Sequence, residues 1–416
     1  RDLSTDSMKL DGIALNADVT DTNSVVSALT AGDNISISTM GVVASVSGTA
    51  DFVASGVLPN GKPVILKADG TAEVVSETTT SATIPEGSET IFENAEIRQP
   101  VIAFDPNTSN KCVIVYEDHD NTQLCTAIVG TVSGSSISFG TAVVVVTGLS
   151  GSYFNVVFDP NTANKFIIVY KDGSSRGTAI IGTVSGTSLN FGTAVVFNSV
   201  RTDYPSVAFD PNNSGKFVIA YADFSGSGNG EAIVGTVSGT SLSFGTLATF
   251  NTAAQGGTES IAISFDPNTA GSFVIAYRDS ADSGKGTAIV GTLSGTSVSF
   301  GSEVVFSTGN YSDWISIAFE PNTANKFVVS YTDYSNNGYG TVSVGTVSGT
   351  SASFVTAVVF NSATSGRTKI SFDPNDSDSF VVSYSDAGNS NYFTVILGTL
   401  TGTTASFGSS YVMNVG

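Results

Sequence analysis

SVAFDPNNSGKFVIAYADFSGSGNGEAIVGTVSGTSLSFGTLATF, residues 206–250, holds four apolar runs separated by turn chemistry. SVAF runs into Asp210-Pro211-Asn212, and KFVIAY (216–221) ends at Tyr221-Ala222-Asp223. EAIVGTV (231–237) leads into Ser238-Gly239-Thr240, and SLSFGTLATF (241–250) closes the unit. Pro211 presets a φ near −65° that starts a type I turn, and Asp210 can accept from the backbone that follows. Gly239 supplies the freedom a tight turn needs. KFVIAY is apolar at consecutive positions, so both its faces must be covered. The stretch reads as four short strands whose second sits in a sheet packed between two other sheets.

The same pattern occurs six times. The motif Phe falls at 104, 158, 209, 265, 319 and 372, at spacings of 54, 51, 56, 54 and 53 residues, with Glu320 replacing the Asp once. Each copy carries Tyr-x-Asp (Tyr116/Asp118, Tyr170/Asp172, Tyr221/Asp223, Tyr277/Asp279, Tyr331/Asp333, Tyr384/Asp386) and then GTVSG or a variant from Gly130, Gly182, Gly235, Gly291, Gly345 and Gly398. Six four-stranded sheets, each covered on both sides by its neighbours, describe an all-β, six-bladed β-propeller. A β-solenoid is the next choice, but its coils are usually shorter and its ends need capping. A stack of separate sandwiches fails, because a unit of that size holds no core alone. The propeller is expected over 82–416, with its blades over about 95–414 and essentially no helix. Residues 82–94, ATIPEGSETIFEN, align with the fourth strand although no first three precede them. Either 82–94 or 405–414 is expected to pair across the junction of the ring.

Composition narrows the chemistry. Apolar residues make up 41% of the 416 and charged residues 12%, so the chain can bury a core. Thirty-six acidic against 16 basic residues give −20, a field that repels phosphate backbones, so no nucleic-acid partner is expected. No run approaches the ~18 apolar residues of a membrane span, and no membrane partner is expected. Residue 1 is Arg, which suggests a mature or partial chain whose targeting is not readable. Cys112 and Cys125 flank one hairpin out of register, so free thiols are expected. His119 is the only His, which excludes the usual zinc sites and a triad built on another His. The Asp of Tyr-x-Asp is spread one per blade, unlike the clustered oxygens of a calcium loop, and is expected to cap its turn. No metal or cofactor is expected.

Propellers also host glycosidases, which need two converging carboxylates ~5–9 Å apart. Glu is scarce in the repeats (Glu117, Glu231, Glu259, Glu303 and Glu320), and Arg176, Arg201, Arg278 and Arg367 are dispersed. No catalytic constellation is legible, and no enzyme is expected.

Residues 1–81 carry no repeat. KLDGIALNADVTDTNSV at 9–25 closely resembles the KLDGIE-x-x-ADVTD segment common in tailed-phage fibre and other virion proteins. LTAGDNISISTMGVVASVSG (29–48) resembles β-rich modules of those proteins, and LPNGKPVILKADGTAEVV (58–75) a small hairpin unit found before their repeats. The resemblance covers about a fifth of the chain. It implies a virion location and a fibre or other appendage that is often a homotrimer along its stalk. On this reading 1–47 is a fibre-type assembly segment whose partners are other copies and other virion proteins, and 48–81 is a small hairpin module or linker. Phe52 is the lone aromatic before Phe92, so the leader makes a poor core alone and does better sharing one. A non-adhesive virion joint or decoration protein, or a secreted glycan-active propeller enzyme, stands as an alternative.

In an up-and-down meander the DPN and SGT turns emerge on one face of the ring and are near-uniform. The loops after Tyr-x-Asp and those at 198–205, 251–259, 307–313 and 361–368 emerge on the other and differ from blade to blade. Such divergence suggests where partners are met; loops that drift unconstrained are the alternative. Five residues before the motif Phe stand Gln99, Tyr153, Tyr204, Ser260, Trp314 and Arg367. Three rings that can stack on a sugar or protein surface and three polar groups that can orient it make a candidate site for a host glycan or protein. Phe224, Tyr311, Tyr334 and Tyr339 are placed in loops nearby. Aromatic plugs between blades are the competing explanation.

Overall fold

The computed structural model describes residues 90–413, apart from 147–150, 227, 253–256, 308, 310 and 377, and five short strands between 35 and 74. The chain divides into two compact units, Arg1–Glu86 and Gly87–Gly416. In the first, Ile35–Ile37, Val42–Ser45, Asp51–Ala54, Thr71–Val74 and Val64–Leu66 line up in that order in one sheet. The hairpin expected within 58–75 forms between Val64–Leu66 and Thr71–Val74. Apart from these strands, the expected assembly segment 1–47 and its trimer contacts lie outside the described residues.

The second unit is a β-propeller array of six four-stranded antiparallel blades. Blade 3 shows the pattern. Residues 202–209 of the strand Val195–Phe209 form its innermost strand, followed outward by Lys216–Asp223, Asn229–Ser238 and Ser241–Asn251. The innermost strands of the other blades are Ile97–Phe104, Ser152–Phe158, Thr258–Phe265, Ser312–Phe319 and 365–372 of Val358–Phe372. Helical turns among the described residues are the single 3₁₀ turns Ser280–Asp282, Tyr334–Asn336 and Ala387–Asn389. The second strand Ser272–Asp279 is buried at every residue, as its unbroken apolar run requires, whereas Ser379–Asp386 in the last blade alternates half-buried with buried.

The motifs explain the packing. Phe166 pairs across strands with Gly182, where a Cβ would come within 2.1 Å of the ring, and Phe217, Phe273, Phe327 and Phe380 repeat the arrangement. A large residue over glycine lets neighbouring blades close up. Blade 1 has Cys112 opposite Gly130 instead; Cys112 and Cys125 are both free and buried. In all six DPN or EPN turns the acidic side chain accepts the backbone N–H two residues on, at 2.8–2.9 Å. Asn107, Asn161, Asn212 and Asn268 then donate to a carbonyl in the next blade's turn. The uniform face is thus stitched blade to blade.

Two expectations need correction, and a third is narrowed. The outermost strand is not continuous in most blades: in blade 2 it is Ser188–Phe191 and then, after a break, the start of Val195–Phe209. In blades 1, 2 and 4 the break falls at the glycine after the Phe (Gly140, Gly192 and Gly301) and in blade 5 at Val355, whereas blade 3 runs on unbroken through Gly245. In blade 3, Gly245 lies so close to the following SGT turn that a Cβ would sit 2.0 Å from the Thr296 carbonyl oxygen. Residues 198–205 and 361–368 are strand rather than loop, because Val195–Phe209 and Val358–Phe372 each run from the outside of one blade to the inside of the next. Residues 404–412 are blade 6's own outer strand, in register from Thr401↔Thr404 to Thr394↔Val412, so they do not cross the junction; 82–89 lie outside the described residues.

Consecutive innermost strands pack on one another from Ile97–Phe104 through to 365–372, but the last and first do not adjoin in the same way. Accordingly Ile102 and Phe104 of blade 1, and Phe393 and Leu397 of blade 6, are 50–56% exposed. Their counterparts at formed interfaces, such as Val156, Phe158 and Val344, are buried.

Candidate functional site at the mouth of the inner strands

Every innermost strand breaks register near its start: between Arg98 and Val101, Ser152 and Asn155, Asp203 and Ser206, Glu259 and Ala262, Asp313 and Ser316, and Gly366 and Lys369. Each break is a β-bulge, which re-aims side chains. Within it sit Gln99, Tyr153, Tyr204, Ser260, Trp314 and Arg367, the six residues singled out by spacing. All six are left-handed, with φ of 49°, 55°, 53°, 47°, 51° and 56°. An L-residue there costs roughly 1–2 kcal/mol relative to right-handed backbone. Glycine fills such positions most easily, yet none of the six is glycine.

These residues meet around one rim. The Tyr153 N–H donates to Gln99 Oε1 at 2.7 Å. The Tyr153 and Tyr204 rings lie 4.9 Å apart. Ser260 Oγ donates to Asp313 Oδ1, beside Trp314. Thr368 Oγ1 donates to the Trp314 carbonyl at 2.6 Å, which brings blade 6 next to the indole. Burial, reinforced by Tyr153, pushes the Tyr204 phenol up to about 12, so it stays a neutral donor at ordinary pH.

A second tier lies beneath. Its members come from the residue before each bulge and the cross-strand partner it faces: Arg98 with Glu117, Ser152 with Lys171, and Glu259 with Arg278. Lys171 pairs with Asp203 at 2.8 Å and lies 4.6 Å from the centre of the Tyr153 ring. Arg201 pairs with the same Asp203 at 2.6 Å. Arg278, buried, reaches Glu259 and lies 3.5 Å from Asp313, with the Tyr311 ring 4.3 Å away. Tyr311 packs edge-on against Tyr334 at 5.1 Å. The signal for this tier was the middle residue of Tyr-x-Asp: Glu117, Lys171, Ala222, Arg278, Thr332 and Ser385. It varies while its neighbours do not.

The exposure of each ring separates the two explanations offered for them. Trp314, Tyr311 and Tyr334 are 43–44% exposed and plug no interface. Tyr153 and Tyr204 are half-buried against each other. Phe224 is half-buried, with the Arg201 guanidinium 4.8 Å over its ring, and is taken up in packing. Tyr339 begins a third strand rather than lying in a loop. The Asp of Tyr-x-Asp caps its turn in every blade: Asp118, Asp172, Asp223, Asp279, Asp333 and Asp386 each accept backbone N–H groups of the residues just after them.

The carboxylates of the rim are engaged rather than poised. Glu259 and Asp313 flank Arg278, and Asp203 holds two cations. Away from the rim, Glu303 accepts the Tyr277 phenol at 2.6 Å and Glu231 accepts the Thr249 hydroxyl, with burial pushing the Glu231 carboxyl up. A cleft of about 550 Å³ at the outer edge between blades 4 and 5 has Asp333 as its one carboxylate, already used as a turn cap.

No family model and no curated protein matches the chain. Among solved structures, the periplasmic gluconolactonase PpgL of Pseudomonas aeruginosa is similar with a TM-score of 0.53 at 10% identity, over 74% of this chain and 83% of that one. Sqt1 of Chaetomium thermophilum, solved bound to the N-terminus of ribosomal protein L10, gives 0.48 at 11%, over 75% and 74%. AofleA of Arthrobotrys oligospora gives 0.48 at 9%, over 75% and 88%. These are β-propeller proteins, and at such identities the likeness to PpgL speaks for the fold alone.

Proposed function

We propose that the chain is a structural appendage of a tailed-phage particle, a tail fibre or similar, whose propeller meets the host surface through its variable face. The observation that carries the attachment reading is the rim. Six blades place five kinds of side chain at one strained position, three of the six residues being aromatic, and neighbours among them meet from blade to blade. Strain kept at a position where glycine would relieve it is a mark of functional side chains. The virion reading rests on KLDGIALNADVTD at 9–21, and the partners it brings are other copies and other particle proteins. Of the rim's carboxylates, Asp203, Glu259 and Asp313 are held in ion pairs and Glu117 accepts the Gln99 amide, which favours binding over catalysis.

Immunogold labelling of intact particles, with antiserum raised against the full chain, tests this reading. Label on an external appendage, with host adsorption blocked by the same serum, is expected. Unlabelled particles sink the virion reading. Labelled particles that adsorb normally under saturating serum return the protein to a joint or decoration role.

A further inference from the structure

Five arginines lie among the described residues, and four have carboxylate partners. Arg98 pairs with Glu96 at 2.9 Å, Arg176 with Asp172 at 2.8 Å and Arg201 with Asp203 at 2.6 Å, while Arg278 sits between Glu259 and Asp313. Arg367 has none among the described residues. Neither has Lys369, two residues along the same innermost strand; the Arg367 side chain is exposed, while Lys369, though open to solvent, lies deep enough among neighbouring atoms that desolvation lowers its ammonium below the ordinary lysine value. In a chain of net charge −20 carboxylates are abundant, so Arg367, the one arginine among the described residues without a carboxylate partner, stands out.

Trp314 lies beside Arg367. Its carbonyl takes the Thr368 hydroxyl, and the open space at Gly366, which has no side chain, faces its Nε1 at 4.0 Å. The two residues that flank Arg367 therefore both border the tryptophan. The patch offers a flat apolar face, a planar two-pronged donor and an ammonium group, with nothing filling the space above Gly366. An indole face suits the C–H face of a pyranose, and a guanidinium suits a carboxylate in bidentate geometry. Long-range repulsion by the protein's net charge fades beyond about 8 Å at physiological salt, so the contact pair decides the outcome.

We propose that Trp314, Arg367 and Lys369 bind a saccharide that carries a carboxylate. The inference rests on the reading of the variable face as the recognition face, and it names the ligand class. Calorimetry on the full chain compares 3′-sialyllactose with lactose, and trigalacturonate with maltotriose. At least one acidic probe is expected to bind 10-fold or more tighter than its neutral control, and the two pairs separate sialic from uronic acids. Arg367→Gln is expected to erase that preference while leaving binding of the neutral control unchanged. Trp314→Ala is expected to weaken acidic and neutral probes alike, and Lys369→Gln to weaken the acidic probe several-fold. Arg367 is exposed and unpartnered, so an unchanged melting temperature for Arg367→Gln shows that the loss is not unfolding. Equal affinity for acidic and neutral sugars, no binding of either acidic probe, or a preference that survives Arg367→Gln overturns the proposal. Blocked adsorption without an acidic preference would leave the attachment reading standing alone, and an acidic preference on unlabelled particles would leave the sugar site standing alone.

Discussion

The ring of Phe92 lies 5.4 Å from that of Tyr116, edge-on, and 5.5 Å from Phe139. Phe197, Phe250, Phe306 and Phe360 make the same pair of contacts with the Tyr and Phe of blades 3 to 6. Each of those four ends the outer strand of the preceding blade. Phe92 brings the same residue to blade 1, and the equivalent residue after blade 6, Met413, is left 52% exposed. Phe92→Ala is therefore expected to lower stability by about 2–4 kcal/mol, less than a fully buried phenylalanine because Phe92 is half-exposed. Met413→Ala should change it by less than about 0.5 kcal/mol. Urea unfolding followed by Trp314 fluorescence measures both, and equal effects would mean that Phe92 is not the residue that fills the socket.

The two end faces of the array give a second test. Phe104→Asp and Leu397→Asp are each expected to shift stability by less than about 0.5 kcal/mol, because both side chains stand largely in water. Phe158→Asp, at the same position in blade 2, should unfold the protein, since it buries an unpaired charge in the core. A loss of several kcal/mol from Phe104→Asp and Leu397→Asp, with the double variant no worse than either single one, would show that the two faces meet in solution.

The glycine of SFG separates positions that look alike in sequence. Gly245→Ala is expected to cost about 1–3 kcal/mol, because its Cβ would run into the Thr296 carbonyl and push blades 3 and 4 apart. Gly408→Ala should be nearly neutral, since the nearest atom, the Leu397 carbonyl oxygen, is 3.9 Å away. Thermal unfolding of the two variants side by side decides it.

Blade number, strand order and the rim positions were all legible in one chain, and for one reason: a repeat prints its geometry six times. The Phe over Gly pair, the DPN cap and the position five residues before the motif Phe recur, so each copy checks the others. What escaped was what one copy cannot show. Asn107, Asn161, Asn212 and Asn268 reach a neighbouring blade's carbonyl, and the SFG glycine answers to the next blade's turn, contacts made across about 50 residues. The Arg278 cluster escaped because its members come from three strands, two of one blade joined by the register Glu259↔Arg278 and the next blade's strand that carries Asp313.

Asp172 carries the pH test. Partial burial pushes its carboxyl up, but Arg176 and the backbone N–H groups of Ser174 and Arg176 outweigh this and hold it below the ordinary aspartate value. With the folded value below the unfolded one, its stabilisation is complete above pH ~4 and is lost as pH falls through the folded value. Asp172→Asn should cost roughly 1 kcal/mol at pH 7, kept small because Arg176 is half in solvent. The gap from wild type should close as the pH falls towards 2. A gap that stays constant across that range would show that the charge plays no part.

Arg367 offers a direct test of strain kept for function. Its φ is 56°, and its side chain is exposed and forms no ion pair with any described residue. Glycine at this position removes a penalty of about 1–2 kcal/mol for left-handed backbone and gives back roughly 0.5–1 kcal/mol through the freer unfolded chain. Arg367→Gly is therefore expected to stabilise the propeller by about 0.5–1 kcal/mol, whereas Arg367→Ala, which keeps the strain, should leave stability near wild type. The same glycine should abolish any discrimination that the rim makes between acidic and neutral sugars. A variant that folds better and recognises less is the signature of a residue retained against the backbone's preference. Arg367→Gly that melts below Arg367→Ala would show instead that the bulge is held by packing, and that the left-handed turn at blade 6 carries no strain to release.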